Sequence, residues 1–563
     1  PIFVLLDVTA ELSMPLLMSK IVDVGIADQD LGYIARIGVS MVLIALVAMG
    51  SGIANMWLST VGSMGFGANL RDALFAKVQQ FSFANIDYFS TASLVTRVTN
   101  DINNLQLTFM MALRILLRAP MMLVIAFLLA YSINAKLSVV LAVALPLLAV
   151  GVAAIHRTAS KRFAVVQERM DGINSALQEN LIGQREVKAF VRADFETAKF
   201  QHANDALTNA FIRAVSVVIL NMPMMMFVLS GATIAIIWLG GKMVFAGTLG
   251  AGGLISLISY VFQILMSVMM ISMVFVMAAR AQVSGRRVLE VLGTEVDVVS
   301  PPAAVATTAP LQVTAGKVEF RDVAFRYSPT GAGEEVLSGV SFTAEPGEVV
   351  AIVGGTGSGK STLVHLIPRL YEVSAGTVLV DGHDVRDYAL EALRSGIGVV
   401  LQKNTLFSGT IRDNLRWGQE DASQAEIEAV CQDAQAHEFI VSLPQGYDTV
   451  LGQGGVNLSG GQKQRLCIAR AILKRPKILI LDDSTSAVDS TTEASIRDSF
   501  DHHLAQTTVF VIAQRISSVR DADKIVVLDE GKVIGVGTHR SLLADNAVYR
   551  EINQSQQEGV LAR

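Results

Sequence analysis

The stretch VVAIVGGTGSGKST, residues 349–362, decides the fold of the second half of this chain. It joins an apolar run to the pattern G-x-x-x-x-G-K-S and then to residues that favour a helix. Glycines let such a loop turn tightly, so that backbone N–H groups face a phosphate at the N-terminus of the helix. The pattern therefore predicts a strand, a loop and a helix arranged around the phosphates of a nucleoside triphosphate.

Every residue of this loop is a candidate ligand of the nucleotide. Lys360 is predicted to reach the β- and γ-phosphates, and the hydroxyl of Ser361 to ligate Mg²⁺. The candidate nucleotide-binding residues of the loop are Gly354, Gly355, Thr356, Gly357, Ser358, Gly359, Lys360, Ser361 and Thr362.

A second apolar run, ILILDD at residues 478–483, ends in two adjacent acids. We predict that it forms the strand beside the phosphate-binding loop. Asp482 then falls where a carboxylate holds Mg²⁺, through water. The alternative is an acid that only caps a turn at the end of a strand, and the loop upstream favours the metal.

The first half of the chain is predicted to lie in a lipid bilayer. The sequence is 52% apolar and 17% charged, and the apolar residues are concentrated before about residue 290. About 20 apolar residues span a bilayer as a helix. The six predicted spans lie near residues 2–22, 37–58, 116–133, 137–155, 214–240 and 252–279.

The long connections between these spans are predicted to lie in the cytoplasm. Nine Lys and Arg residues lie between Arg157 and Arg213, and positive charge marks the inner side of a membrane. Two inner segments, 86–104 and 177–190, read as turns at the tips of helical extensions. From spacing alone they either cap helical hairpins or dock onto the second half of the chain.

Composition limits the remaining organisation. The chain begins Pro-Ile-Phe inside an apolar run, which we interpret as a truncated N-terminus. Cys431 and Cys467 both lie in the polar half and favour a reducing compartment. A net charge of −5 gives no sign of nucleic-acid binding. The predicted regions are a transmembrane domain at 1–292, a linker at 293–315, a nucleotide-binding domain at 316–555 and a C-terminal tail at 556–563.

The stretch NLSGGQKQR, residues 457–465, identifies the family. With this motif the second half resembles the ATP-binding cassette of ABC transporters, and six spans ahead of it resemble an ABC exporter half-transporter. The resemblance implies a membrane α-helical bundle with long cytoplasmic extensions, followed by an α/β P-loop cassette. It also implies that ATP and Mg²⁺ are the cofactors, that the cassette lies in the cytoplasm of a bacterial cell, and that segments 86–104 and 177–190 dock as coupling elements.

The resemblance assigns further roles by position. Tyr327 matches the aromatic residue that stacks on adenine. Gln402 matches the glutamine that contacts Mg²⁺ and senses the γ-phosphate. Residues 486–489 match the loop that crosses between the two ATP sites of a cassette pair. The residues that match the signature motif, which acts on ATP held by the opposite cassette, are Ser459, Gly460, Gly461 and Gln462.

Two substitutions depart from the family at the catalytic end of the site. Asp483 stands where the family usually has the glutamate that polarises the attacking water, and its carboxylate is withdrawn by roughly 1.5 Å, which can cost on the order of 100-fold in rate. Gln514 stands in the position of the switch histidine and cannot carry a proton's charge near pH 7. A milder change places Gln453 where many exporters have glutamate. We therefore expect a site that binds ATP firmly and hydrolyses it slowly.

The predicted function is ATP-driven export of hydrophobic compounds or drugs, as one half of a heterodimer whose partner carries the competent site. Methionines at 222 and 224–226 suit a surface that accepts many shapes, although ordinary packing or lipid contact is the simpler explanation. The alternatives are an importer built on the exporter fold and an ATP-gated channel or regulatory subunit. The identity of the transported compound stays open.

Overall fold

The computed structural model describes residues 2–301, 311–327, 334–483, 492, 494–496, 498–499, 506–513 and 515–561. Within this part of the chain, the residues form two compact units. One unit contains residues 1–77 and 94–293, and the other contains residues 78–93 and 294–563. We describe each unit separately.

The first unit is built from long helices. Six of its helical stretches are long and apolar enough to cross a membrane, as the sequence predicts. Three short π-helical segments, at Ile21–Ile26, Arg97–Asp101 and Ala112–Leu116, interrupt or extend them. The α-helices are α1 (Ile2–Lys20), α2 (Leu31–Gln79), α4 (Thr91–Thr96), α5 (Ile102–Met111), α6 (Leu117–Ile133), α7 (Ala135–Ile182), α8 (Gln184–Ala189), α9 (Ala193–Ile219), α10 (Asn221–Phe245) and α11 (Ala251–Gly293), with α3 (Phe83–Phe89) in the other unit.

Polar contacts between helices fix the packing of this unit, because a bilayer offers polar groups no other partner. Arg118 on α6 pairs with Asp7 at 2.8 Å and with Glu11 at 2.5 Å, both on α1. Asp23 accepts hydrogen bonds from the backbone N–H groups of Gly252 and Gly253, at 2.7 and 3.0 Å, at the start of α11.

The second unit contains the cassette and its two main sheets. The larger sheet has the order β12-β11-β3-β10-β9-β6, and every adjacent pair is parallel except β11 with β12. An antiparallel sheet has the order β2-β1-β4-β5. The strands are β1 (Val318–Phe325), β2 (Leu337–Ala344), β3 (Val349–Gly354), β4 (Ala375–Val380), β5 (His383–Asp384), β6 (Ile397–Val400), β7 (Gly409–Thr410), β8 (Val450–Leu451), β9 (Ile478–Asp482), β10 (Thr508–Ile512), β11 (Lys524–Asp529) and β12 (Lys532–Gly537).

Helices cover the larger sheet, and its parallel strands are mostly buried apolar runs, as expected of a parallel sheet, whereas the antiparallel edge strand β12 is half-buried to exposed. The cassette helices are α12 (Lys360–His365), α13 (Leu390–Ser395), α14 (Ile411–Arg416), α15 (Gln424–Asp433), α16 (His437–Ser442), α17 (Gly460–Leu473), α18 (His539–Asp545) and α19 (Ala547–Leu561).

The short helix α3 packs with the cassette. Its N-cap, Ser82, forms a capping box with Asn85. Asp87 accepts a hydrogen bond of 2.8 Å from the hydroxyl of Tyr371. Phe83 packs edge-on against the ring of Tyr371, with 5.9 Å between ring centroids. The segment at 86–104 therefore contacts the cassette through its first residues, and the contacts begin earlier in the sequence than the predicted turn.

A predicted boundary falls inside an element of the structure. The division between a domain ending at 555 and a tail starting at 556 lies within α19. The strand β9 brings Asp482 to the phosphate-binding loop, as predicted, and β10 lies between β9 and β3 in the sheet. Strand order depends on contacts between distant segments, so the apolar pattern of β9 cannot specify it.

Candidate nucleotide-binding site

The phosphate-binding loop follows β3 and leads into α12. Gly354, Gly357 and Gly359 have φ values of +159°, +82° and +93°. The latter two lie in the region that favours glycine. At Gly359 a side chain would also approach Leu337 Cδ2 to 2.8 Å and the carbonyl oxygen of Val336 to 3.0 Å. The loop thus needs its glycines for both turning and close packing.

A cleft of about 600 Å³ opens over this loop. It brings together residues from β3, α12, β9, β10, the segment after β6 and α19. The sequence-predicted residues that line it are Tyr327, Gly354, Gly355, Thr356, Gly357, Gly359, Lys360, Ser361, Thr362, Gln402, Asp482 and Asp483. The cleft thereby collects the predicted nucleotide and metal ligands with the exception of Ser358 and the four signature residues.

Lys360 is folded back over the loop. Its Nζ donates hydrogen bonds to the carbonyl oxygens of Gly354 and Gly355, at 3.0 and 2.6 Å. Burial lowers the pKa of Lys360 from its usual value, while the charges of Asp483 and Asp482 act in the opposite direction. A bound phosphate would supply a stronger partner for this ammonium group than the two carbonyl oxygens do.

The residues around Asp482 fit a hard divalent cation. Ser361 Oγ donates to Asp482 Oδ1 at 2.8 Å. Asp482 is 1% exposed, and its Oδ2 has no hydrogen-bond partner within the described residues, with His365 Nε2 3.3 Å away. Together with the amide of Gln402 in the same cleft, these oxygens form the sparse set that Mg²⁺ takes from proteins beside phosphates. When bound, Mg²⁺ would neutralise charge on the phosphate oxygens.

Tyr327 stands at the rim of the cleft. Its hydroxyl shares a hydrogen bond of 2.6 Å with Thr362 Oγ1, and its ring meets that of Tyr371 edge-on, at 5.3 Å between centroids. The side chain is 45% exposed, so one face of the ring is accessible to a flat ligand. The position suits the adenine-stacking role that the sequence assigns to it.

Asp483 follows directly after β9, in a constrained backbone conformation. Its φ of +49° is uncommon for a residue other than glycine. Gln464 on α17, which is 1% exposed, donates from Nε2 to the carbonyl oxygen of Asp483 at 3.4 Å. The backbone of the predicted base position is therefore tied to the helix that carries the signature motif.

The signature residues lie apart from the cleft. Ser459 is the N-cap of α17, and Gln462 closes the capping box, with a Ser459 N to Gln462 Oε1 distance of 2.9 Å. Ser459 and Gly460 are exposed, and none of the four signature residues lines the cleft described above. The exposed start of α17 can therefore face a ligand held by another molecule.

Two predicted elements fall outside the described residues: the switch position Gln514 and the crossing loop at 486–489. The structure also adds contributors to the site that the sequence did not predict. They include His365, one turn beyond the loop, Gln464 beneath Asp483, and Gln556 on α19. The sequence carried two signals: His365 shares a helix face with Ser361, and Gln464 lies inside the stretch at 457–465.

Comparison with known proteins agrees with this architecture. The model of the ABC transporter transmembrane region matches residues 1–268, and the ABC transporter model matches residues 337–486. The uncharacterised ABC transporter ATP-binding protein YfiB of Bacillus subtilis is 40% identical over 555 residues, covering 99% of this chain and 95% of that protein. The chain belongs to the ABC transporter family.

Two further relatives place this ABC transporter more closely. An ATP-dependent lipid A-core flippase of Syntrophus aciditrophicus is 34% identical, covering 97% of this chain and 89% of that protein. The structure of a bacterial Atm1-family ABC exporter with ATP bound aligns with a TM-score of 0.80 and 26% identity, covering 99% of this chain and 97% of the other. The protein is thus a multi-pass bacterial half-transporter with the Atm1-family exporter fold and an ATP-driven cassette.

Proposed function

We propose that this half-transporter exports hydrophobic compounds as one half of a heterodimer, and that its own site holds ATP but hydrolyses it slowly. The observation that carries the proposal is Asp483 at the end of β9, in a cleft that otherwise retains the phosphate-binding loop and the metal ligands. The site can bind ATP without hydrolysing it quickly, because binding depends on Lys360, Ser361 and Asp482. Hydrolysis depends in addition on the length of the acidic side chain at position 483.

The signature motif supports the heterodimer. Its exposed capping box is intact, so this chain can complete the ATP site of a partner. A partner with glutamate at the base position would then hydrolyse ATP for the pair. ATP held between two cassettes would favour one conformation of the membrane helices, and hydrolysis in the partner's site would release it.

Two cavities in the membrane helices support a hydrophobic substrate. One has a volume of about 710 Å³, and His156 is the single titratable side chain among the lining residues that the structure describes. A second of about 360 Å³ is lined by apolar residues and one threonine. The residues lining the larger cavity are Leu123, Leu145, Pro146, Ala149, Val152, Ala153, His156, Val268 and Ile271. Apolar walls with few polar groups suit lipophilic compounds.

The decisive experiment compares ATP turnover with and without a partner. The purified chain in lipid nanodiscs is expected to bind ATP with Mg²⁺ but to show little steady-state hydrolysis. Co-purification with a half-transporter that carries glutamate at the base position should restore turnover, and glutamine at that partner position should abolish it. Rapid turnover by this chain alone would contradict the proposal, as would an active complex that survives the partner substitution.

A further inference from the structure

The C-terminal helix α19 reaches the nucleotide cleft. Ile552 and Gln556 line the same cavity as Lys360 and Asp483. The sequence offers no motif here, and the predicted boundary of the nucleotide-binding domain excluded Gln556. Its place in the cleft follows from how the helix is anchored.

The first turn of α19 is fixed in the core of the cassette. Tyr549 is fully buried and lies in a cluster with residues of β3 and with Ile516. Its hydroxyl is 2.7 Å from His539 Nδ1, and its backbone N–H donates to Asn546 Oδ1 at 2.9 Å. Residues three and seven positions further along a helix share its face. The burial of Tyr549 therefore directs Ile552 and Gln556 towards the cleft.

Gln556 holds the backbone that follows β10. The backbone N–H of Ile516 donates to Gln556 Oε1 at 2.8 Å. Ile516 is 3% exposed and opens a short 3₁₀ turn, Ile516–Ser518. This turn is therefore held from two sides: its first side chain lies in the core, and its first N–H is bound by Gln556.

The register of the sheet shows which end of the cleft lies next to the hydrogen bond between Ile516 and Gln556. Ile512, the last residue of β10, lies opposite Asp482 in the parallel pairing of β10 with β9. Ile512 also lines the cleft. The chain that leaves β10 thus starts next to Asp482 and Asp483. We call this part of the cleft its acid end.

We propose that Gln556 is a positioning residue of the ATP site. By binding the N–H of Ile516, it restrains the backbone four residues beyond Ile512, which lines the acid end of the cleft, where the γ-phosphate distinguishes ATP from ADP. This role rests on the proposed function of the site as one that retains ATP. Loss of the acceptor leaves the buried N–H of Ile516 without this partner, so Ile516 shifts to find another.

The test measures nucleotide preference in the full chain in nanodiscs, using fluorescent MANT-ATP and MANT-ADP with Mg²⁺. Gln556→Leu is expected to weaken MANT-ATP binding by about 3–10-fold, the effect of one lost hydrogen bond, and MANT-ADP binding by less than about 2-fold. Gln556→Glu keeps an acceptor oxygen at the same distance and should preserve the preference for ATP. Gln554→Leu is the matched control, because it is an exposed glutamine on the same helix.

Several outcomes would overturn the assignment. Equal weakening of MANT-ATP and MANT-ADP binding would make Gln556 a stabilising residue of α19 only. Unchanged affinity for both nucleotides would remove any role at the site. Gln556→Asn, which withdraws the oxygen while keeping an amide, gives the same answer if the leucine variant does not fold. The measurement is independent of turnover: rapid hydrolysis would contradict the proposed function, and the same ratio taken with a non-hydrolysable MANT-ATP analogue would still decide on Gln556.

Discussion

Lengthening Asp483 by one methylene is the sharpest test of how this site handles ATP. The backbone at this position is fixed, since Asp482 is bound to Ser361 at 2.8 Å and the carbonyl oxygen of Asp483 accepts from Gln464 at 3.4 Å. Asp483→Glu should therefore move the carboxylate towards the attacking water by roughly 1.5 Å without moving the strand. A misplacement of that size costs about 100-fold, or about 2.7 kcal/mol of barrier.

The expected result is an increase of about 10- to 100-fold in single-turnover hydrolysis of ATP by Asp483→Glu. The lower end applies because Gln514 still occupies the switch position, and adding Gln514→His should raise the rate further. Release of labelled phosphate in the presence of Mg²⁺ measures the rate, with ATP affinity determined separately. Asp529→Glu, which lengthens an acid at the end of β11 in the same sheet, is the matched control.

One result would refute this reasoning directly. If Asp483→Glu binds ATP as the unmodified chain does and hydrolyses it no faster, carboxylate length does not limit the site. An unmodified chain that already turns over ATP as fast as the double variant would lead to the same conclusion.

Three further predictions concern the stability of the two units. Tyr371→Phe removes the hydrogen bond to Asp87 and should lower the unfolding free energy by about 1.5–3 kcal/mol, seen as a reduced thermal midpoint; an unchanged midpoint would contradict a role for this contact. Asp381 is partly buried, which raises its pKa, but four backbone N–H groups outweigh this and hold the pKa below its usual value. Its contribution is thus complete above about pH 4 and is lost as pH falls through the folded value, so Asp381→Asn should flatten the acid side of the unfolding profile. Arg118→Met leaves Asp7 and Glu11 without their cation among the membrane helices. It should lower the free energy of unfolding in detergent by about 3–5 kcal/mol, whereas neutralising all three side chains together should restore stability.

Much of the fold follows from local sequence pattern. The six membrane helices were predictable because a span needs only length and apolarity, which are properties of one segment. The loop at 349–362 was equally clear, since positive φ at Gly357 and Gly359 and the lysine after them belong to one continuous stretch. The docking of α3 was harder. Phe83 and Asp87 carry no motif, and their partner Tyr371 lies more than 280 residues away.

The sequence by itself specified the side chains available for chemistry: which residues can bind phosphate and metal, and that the acid following Asp482 is an aspartate. These properties reside in side-chain identity at fixed spacing. Only the tertiary structure decided which strands and side chains lie next to one another. It placed β10 between β9 and β3, set Gln464 beneath Asp483, and brought Gln556 to the cleft through the burial of Tyr549. The physical reason is that strand order and helix docking depend on the packing of distant segments, and no local pattern records that packing.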